Sequence, residues 1–223
     1  MESFNLKEEL ENQFKKLKKT NKNFALLNGD KKILLSAPHA VEQTRDGKIK
    51  FAEPETALIA LYLNSFGYPA IIKTTNENDD ANHDVDCLYK NNLLQYCKSN
   101  NIKFIVDLHQ LSPKRDMDFC LGTGDFNNKN LANKSYLLNN ITEEISKSQF
   151  NYKINYPFAA AGLGTISGYM SNQNFSSIQI EINSNLVSSY CNAKFFDEVC
   201  KLIKNIVLSI EKEVELHENI ISK

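Results

Sequence analysis

Short apolar runs alternate with helical patterns along most of the chain, and this alternation limits the possible folds more than any other feature. KKILLSAPH (31–39), PAIIKTT (69–75), IKFIVDLH (102–109), MDFCLGT (117–123) and SSIQIEIN (176–183) read as strands, IKFIVDLH being the strongest buried one. Helices are predicted between and around them over 5–20, 54–66, 85–99, 129–148 and 194–215. In the first, Leu6, Leu10, Phe14 and Leu17 share one side, with lysines and glutamates opposite. The second opens with Pro54 and Glu55 and stops at Gly67, which is the favoured placing of both residue types. TRDGKIK (44–50) carries the Asp-Gly of a tight turn and predicts a small hairpin. Strands alternating with helices predict a three-layer α/β/α fold, with a mostly parallel, mixed sheet covered on both faces.

The bulk properties fit one globular unit. The chain has 223 residues, 42% of them hydrophobic and 24% charged, enough for a sizeable core. It shows no internal repeat and no Pro/Gly/Ser linker, so a single domain over 1–223 is expected. A net charge of −1 argues against nucleic-acid binding, which needs a basic excess. The five cysteines form no CxxC pair and are odd in number, suggesting neither a disulfide framework nor a thiolate zinc site. The N-terminal MESFNLKEELENQFKKLKK has no apolar signal core, and no apolar run approaches the ~20 residues of a membrane span. A cytoplasmic protein without membrane contact is expected, and the sequence leaves its oligomeric state open.

Function is suggested by what ends three of the strands. His39 ends ILLSAPH, His109 ends IKFIVDLH, and Glu181 lies near the end of SSIQIEIN. Open α/β sheets bind ligands at the carboxyl ends of their strands. A buried strand ending in Asp-x-His costs desolvation unless those groups are paired or used. One histidine after a strand is more often a satisfied structural residue; two, with a carboxylate, suggest a metal. Two imidazoles and one carboxylate are the usual protein ligands of a catalytic zinc. On spacing alone the carboxylate is Glu42, which makes an HxxE pattern with His39, or Glu53 or Glu55, which flank Pro54. Asp107 shares a strand face with His109 and is placed to orient its imidazole. Glu181, between Ile180 and Ile182, is the expected general base if the isoleucines face the core.

SAPH (36–39), TRDGKIKFAEPET (44–56), DLHQLSPKRDMDFCLGTG (107–124) and QIEIN (179–183), in that order, resemble the N-formylglutamate amidohydrolase family, a branch of the zinc-dependent exopeptidase-like hydrolases. The resemblance runs from about residue 33 to 183. It implies a zinc-exopeptidase (phosphorylase/hydrolase)-like fold and a zinc ion, or another divalent metal, held by His39, Glu53 and His109. It prefers Glu53 to Glu55 and Glu42, and implies that Glu181 is the catalytic glutamate. The segment after DLH is distinct, so the resemblance implies a divergent relative acting on a small amide such as an N-acyl amino acid or short peptide.

Other polar residues complete the expected site. Arg115, soon after DLH, is a candidate catalytic clamp for a substrate carboxylate, and Arg45 is its rival. Each is otherwise an ordinary surface charge. Asn82, in the acidic tract NENDDANHDVD (76–86), is a candidate substrate contact, although a solvated loop is the simpler reading of that tract. His83 has no strand to deliver it, and His217 lies on the polar end of the last helix. Two further function classes are carried: a non-catalytic metal- or small-ligand-binding protein, and a nucleotide binder suggested by Gly162-Leu-Gly164-Thr-Ile-Ser-Gly168. The spacing of those glycines departs from the dinucleotide fingerprint, and a mobile loop near the site explains them better. Cysteine nucleophile chemistry would fall to Cys120, which no sequence feature singles out.

Overall fold

Helix α1 (Leu6–Lys18) leads into the edge strand β1 (Phe24–Leu27), the central strand β2 (Ile33–Ala37) and a hairpin of β3 (Gln43–Arg45) and β4 (Lys48–Lys50). Helix α2 (Pro54–Asn64), strand β5 (Ala70–Lys73), helix α3 (Leu88–Ser99) and strand β6 (Phe104–Leu111) follow. Then come β7 (Phe119–Gly122), α4 (Ser135–Ser146), β8 (Tyr152–Ile154), α5 (Ile166–Asn172), β9 (Ser176–Asn183), the short α6 (Ser184–Val187) and the long α7 (Ala193–Ile221). These come from a computed structural model, which describes residues 6–188 and 193–221. Cys191 and the side chain of His217 lie outside what is described.

The sheet has seven strands in the order β1-β5-β2-β6-β9-β7-β8. Its middle, β5-β2-β6-β9, is parallel, while β1 and β7 run antiparallel to their inner neighbours and β8 is parallel to β7. From β2 the chain crosses to β5 on one side and then to β6 on the other. The strand order thus reverses at β2, the kind of position where α/β sheets open a crevice. The predicted α/β/α architecture with a mixed sheet is therefore the one observed.

Strand periodicity decides which face each residue serves. Ile33, Leu35, Val106, Leu108, Ile178, Ile180 and Ile182 pack into one core with α1, α2, α4 and α7. Leu34, Ile71 and Ile105 face the other way, against Tyr89, Leu93 and Cys97 of α3 and Ile166 and Met170 of α5. A one-residue slip of β9 would exchange three buried isoleucines for Ser177, Gln179 and Glu181. Each isoleucine is worth about 1.5–3 kcal/mol buried, so the register is firmly held. That register pairs His109 with Glu181 and Asp107 with Gln179.

Several boundaries differ from the sequence expectation, each for a local reason. FALL and YKI are too short to show a period, and β1 and β8 were not expected. The helix predicted over 129–148 is divided: a 3₁₀ turn, Lys129–Leu131, is flanked by Asn128, Ala132 and Asn133 at positive φ, which an α-helix does not admit. The glycine-rich stretch after 160 contains α5, capped by Thr165, whose hydroxyl accepts from the Gly168 N–H at 3.1 Å. Among the described residues no helix is long and apolar enough to cross a membrane.

Candidate functional site

The α3/α5 face of the sheet is apolar toward the amino ends of the strands and polar toward their carboxyl ends. Ser36, Asp107, His109, Gln179 and Glu181 all lie on that face, and all are buried. Beyond β2 the chain turns through Pro38 and His39, and the His39 carbonyl accepts from the Glu53 N–H at 2.8 Å. Glu53 is the N-cap of α2, with Pro54 as the first helical residue. One backbone hydrogen bond therefore sets the side chains of His39 and Glu53 side by side.

Glu53 bridges the two histidines. Its Oε1 is 3.1 Å from His39 Nδ1 and its Oε2 is 3.1 Å from His109 Nδ1, while Oε2 also accepts from the Gln110 N–H at 2.9 Å. The imidazoles meet edge to face, with centroids 4.7 Å apart. The remaining ring nitrogens also face carboxylates: His39 Nε2 is 2.8 Å from Asp80 Oδ1, and His109 Nε2 is 3.3 Å from Asp107 Oδ2. The second contact lacks hydrogen-bond geometry and leaves both atoms without a partner. Asp107 Oδ1 accepts from the Ser36 hydroxyl at 3.0 Å.

Charge in this cluster is strongly coupled. Burial works against the charged form of every member, yet the carboxylates outweigh it at the histidines, raising His39 and lifting His109 well above the usual imidazole range. Glu53, although half-buried, is pulled down to about 2 by the two imidazoles. Burial also acts on Asp80, but His39 and Arg45 hold its carboxyl far below the ordinary value.

The donor set fits a divalent cation. One atom each from His39, Glu53 and His109 lie within 4.8 Å of one another. The 3.1 Å separations are comparable to those of ligands held at ~2 Å around one zinc ion. Carboxylates behind both imidazoles are the usual support of metal-binding histidines. Without a cation the same cluster requires protonated imidazoles at both Nδ1 positions to satisfy Glu53.

Glu55 and Glu42 stand apart from this cluster. Glu55 is buried on the far side of α2, 3.5 Å from Lys7, and Glu42 is exposed. His83 is 3.5 Å from Asp46 and outside the group. Glu181 lies in the same cleft as the cluster, and its Oε1 accepts from Gln179 Nε2 at 2.8 Å. Burial pushes its carboxyl up to about 7, only partly offset by the histidines. Cys120, opposite Glu181 on β7, is buried with its thiol pushed upward and directed at the Phe158 carbonyl at 3.5 Å. That environment removes the thiolate character a nucleophile needs.

The cleft holds about 470 Å³. Arg45 and Arg115 both line it; Arg45 Nε donates to Asp80 Oδ2 at 2.8 Å, and Arg115 is exposed at the mouth. Asn82 lines it too, but its side-chain oxygen accepts from the Ile166 N–H at 2.7 Å and so holds α5. The acidic tract is a loop that is solvated at Glu77, Asn78, His83, Val85 and Asp86 and buried at Asp80 and Ala81. Asp80, fully buried between His39 and Arg45, was not anticipated, because nothing in a run of acids marks one member as buried. Gln179 was missed as well, although its place two residues before Glu181 puts both on one strand face.

Two glycines of this segment, Gly164 and Gly168, serve close approach, while Gly162 has open space around it. A Cβ on Gly164 would lie 2.6 Å from the His83 carbonyl oxygen, and one on Gly168 would lie 2.3 Å from that of Gly162. This segment packs against the 82–84 stretch and forms no phosphate-binding turn after a strand, so the nucleotide reading has no support.

No family model and no curated protein matches the chain. Solved structures do. The N-formylglutamate amidohydrolase of Ralstonia eutropha JMP134 superposes with a TM-score of 0.61 at 14% identity, covering 87% of this chain and 99% of its own. The product of gene Atu2144 of Agrobacterium tumefaciens gives 0.60 at 11%, covering 87% and 96%. A bacteriophage poly-gamma-glutamate hydrolase gives 0.53 at 12%, covering 84% and 88%. The fold is shared with these proteins.

Proposed function

We propose that the protein is a metal-dependent amidohydrolase that cleaves a small amide, an N-acyl amino acid or short peptide, in the cleft at the carboxyl ends of β2, β6 and β9. The observation that carries this reading is the convergence of His39 Nδ1 and His109 Nδ1 on Glu53, each ring backed by a carboxylate, with Glu181 in the same cleft. The printed names of two fold neighbours, an N-formylglutamate amidohydrolase and a poly-gamma-glutamate hydrolase, lend support, since both act on glutamate amides.

His39, Glu53 and His109 would hold the ion, zinc being the best match to two imidazoles and a carboxylate. When bound, it supplies Lewis acidity, polarising a carbonyl and making water a stronger acid, with a pKa toward ~7. Asp80 and Asp107 fix the ring orientations of the histidines. Glu181 takes a proton from the attacking water and returns it to the leaving nitrogen, a task suited to a carboxyl with a pKa near neutrality. Gln179 holds Glu181 Oε1, and a cation at the mouth such as Arg115 binds a substrate carboxylate, Arg45 being already paired with Asp80.

Elemental analysis of the purified protein, followed by single-turnover assays on N-acyl amino acids, tests this reading. Wild type should carry about one divalent ion per chain. Glu181→Gln should keep the ion and lose about 10²–10⁴-fold in kcat, the usual weight of general acid–base catalysis. Equal turnover by wild type and Glu181→Gln would remove Glu181 from the mechanism. A wild type that takes up no metal would leave only small-ligand binding.

A further inference from the structure

The mouth of the cleft is unusual for a site built to take a highly charged molecule. Phe51, directly after β4, is 92% exposed, and Phe158 is 42% exposed; both line the cleft. Pro157, Ala159 and Ala160 continue the apolar lining beside Phe158. Two aromatic rings left in water at one cleft, from separate chain segments, gain free energy only when something apolar covers them. The cations are differently placed. Arg45 is already neutralised by buried Asp80. Lys50 and Arg115, both exposed lining residues, have no acidic partner within ion-pair distance among the described residues.

We infer that the substrate is an amide carrying one carboxylate and one large apolar group, such as an N-acylated aromatic or aliphatic amino acid, and not a dianionic glutamate derivative. This deepens the amidohydrolase reading and rests on it. The carboxylate is met by Arg115 or Lys50, and the apolar group lies against Phe51 and Phe158. A cleft of about 470 Å³ has room for both groups around a scissile amide at the floor.

Calorimetric titration of zinc-loaded Glu181→Gln protein, which blocks turnover, tests the inference through binding alone. The probes are N-acetylphenylalanine, with the ring on the amine side, phenylacetylglycine, with the ring on the acyl side, N-acetylglutamate, and the carboxylate-free N-acetylphenylalaninamide. At least one of the first two should bind about tenfold or more tighter than either of the others, the factor expected for covering a ring and pairing a carboxylate. Which of the two wins locates the apolar group. Phe51→Ala and Phe158→Ala should each erode that advantage, leaving N-acetylglutamate binding unchanged. Phe51 is so exposed that its replacement cannot unfold the protein. Tighter binding of N-acetylglutamate, no binding of any probe, or indifference to both phenylalanine substitutions would overturn the inference. Aromatic probes that bind as expected but are never cleaved by wild type would instead sink the hydrolase reading. Cleavage of N-acetylglutamate in preference to both aromatic probes would keep that reading and remove this inference.

Discussion

At Glu53 and Glu55 two identical side chains, two residues apart, have opposite fates. Glu53 precedes the helix, so its side chain turns into the cleft between two imidazoles. Glu55 is one step into α2 and faces α1, where Lys7 lies 3.5 Å away. Glu55 is the more deeply buried of the two, so burial alone would pick the wrong one, and spacing does not decide; the direction of the first helical turn does. Glu53→Gln should therefore weaken metal binding by at least about 100-fold, more than the 10–100-fold typical of residues behind the ligands. Glu55→Gln should leave metal affinity within about twofold while lowering stability by roughly 1–3 kcal/mol, because Lys7 loses a buried partner. Competition with a chromophoric chelator measures the first effect and urea unfolding the second. A metal-affinity loss for Glu55→Gln equal to that for Glu53→Gln would show that the ligand assignment is mistaken.

Among the elements, the 79–86 stretch and the 160–165 segment form a paired support beneath the cleft. Lys90 ties them together: its ammonium donates to the carbonyls of Asp84 and Gly164, both at 2.5 Å. Gly164→Ala would force a methyl to within 2.6 Å of the His83 carbonyl, and backbone on both sides leaves little room to yield. Overpacking of this kind costs about 1–3 kcal/mol, which for a chain of this size lowers Tm by roughly 2–12 °C. Asp80 lies in the displaced stretch, so metal affinity should fall along with Tm. An unchanged Tm would mean that the two segments separate at no cost. None of this support could be read from the sequence. The strands that deliver His39, His109 and Glu181 were legible because a short apolar run giving way to polar residues is a local signal, although β6 and β9 each continue two residues beyond His109 and Glu181. Asp80 and Lys90 acquire their roles only when loops distant in sequence are brought together. The short edge strands β1 and β8 stayed hidden for a related reason, since their partners, and not their own pattern, define them.

For the whole molecule, the charge cluster sets a pH dependence that reverses with metal. In the metal-free protein His39 and His109 have raised pKa values, so their stabilising contribution is complete below the unfolded value of 6.5 and is lost as pH rises through the folded values. Glu181, raised to about 7, acts in the same direction: the folded state holds a proton that the unfolded carboxyl has already released above 4.5. Glu53, lowered to about 2, contributes stability that is lost only as pH falls through that low range, far from neutrality. The metal-free protein should therefore lose stability as pH rises from about 6 to 8, because the native state binds more protons there. Metal displaces the imidazole protons, so its affinity grows over the same interval. A divalent ion at 100 times its Kd adds about 2.7 kcal/mol, or roughly 5–11 °C in Tm for a chain of this length. Thermal melts with zinc and with a chelator, taken side by side across this range, should diverge, the chelated Tm falling while the zinc-induced increment rises. A chelated Tm that climbs with pH would mean that the two imidazoles are not held protonated by Glu53, Asp80 and Asp107. An increment that does not grow with pH would mean that the ion binds somewhere other than the two histidines.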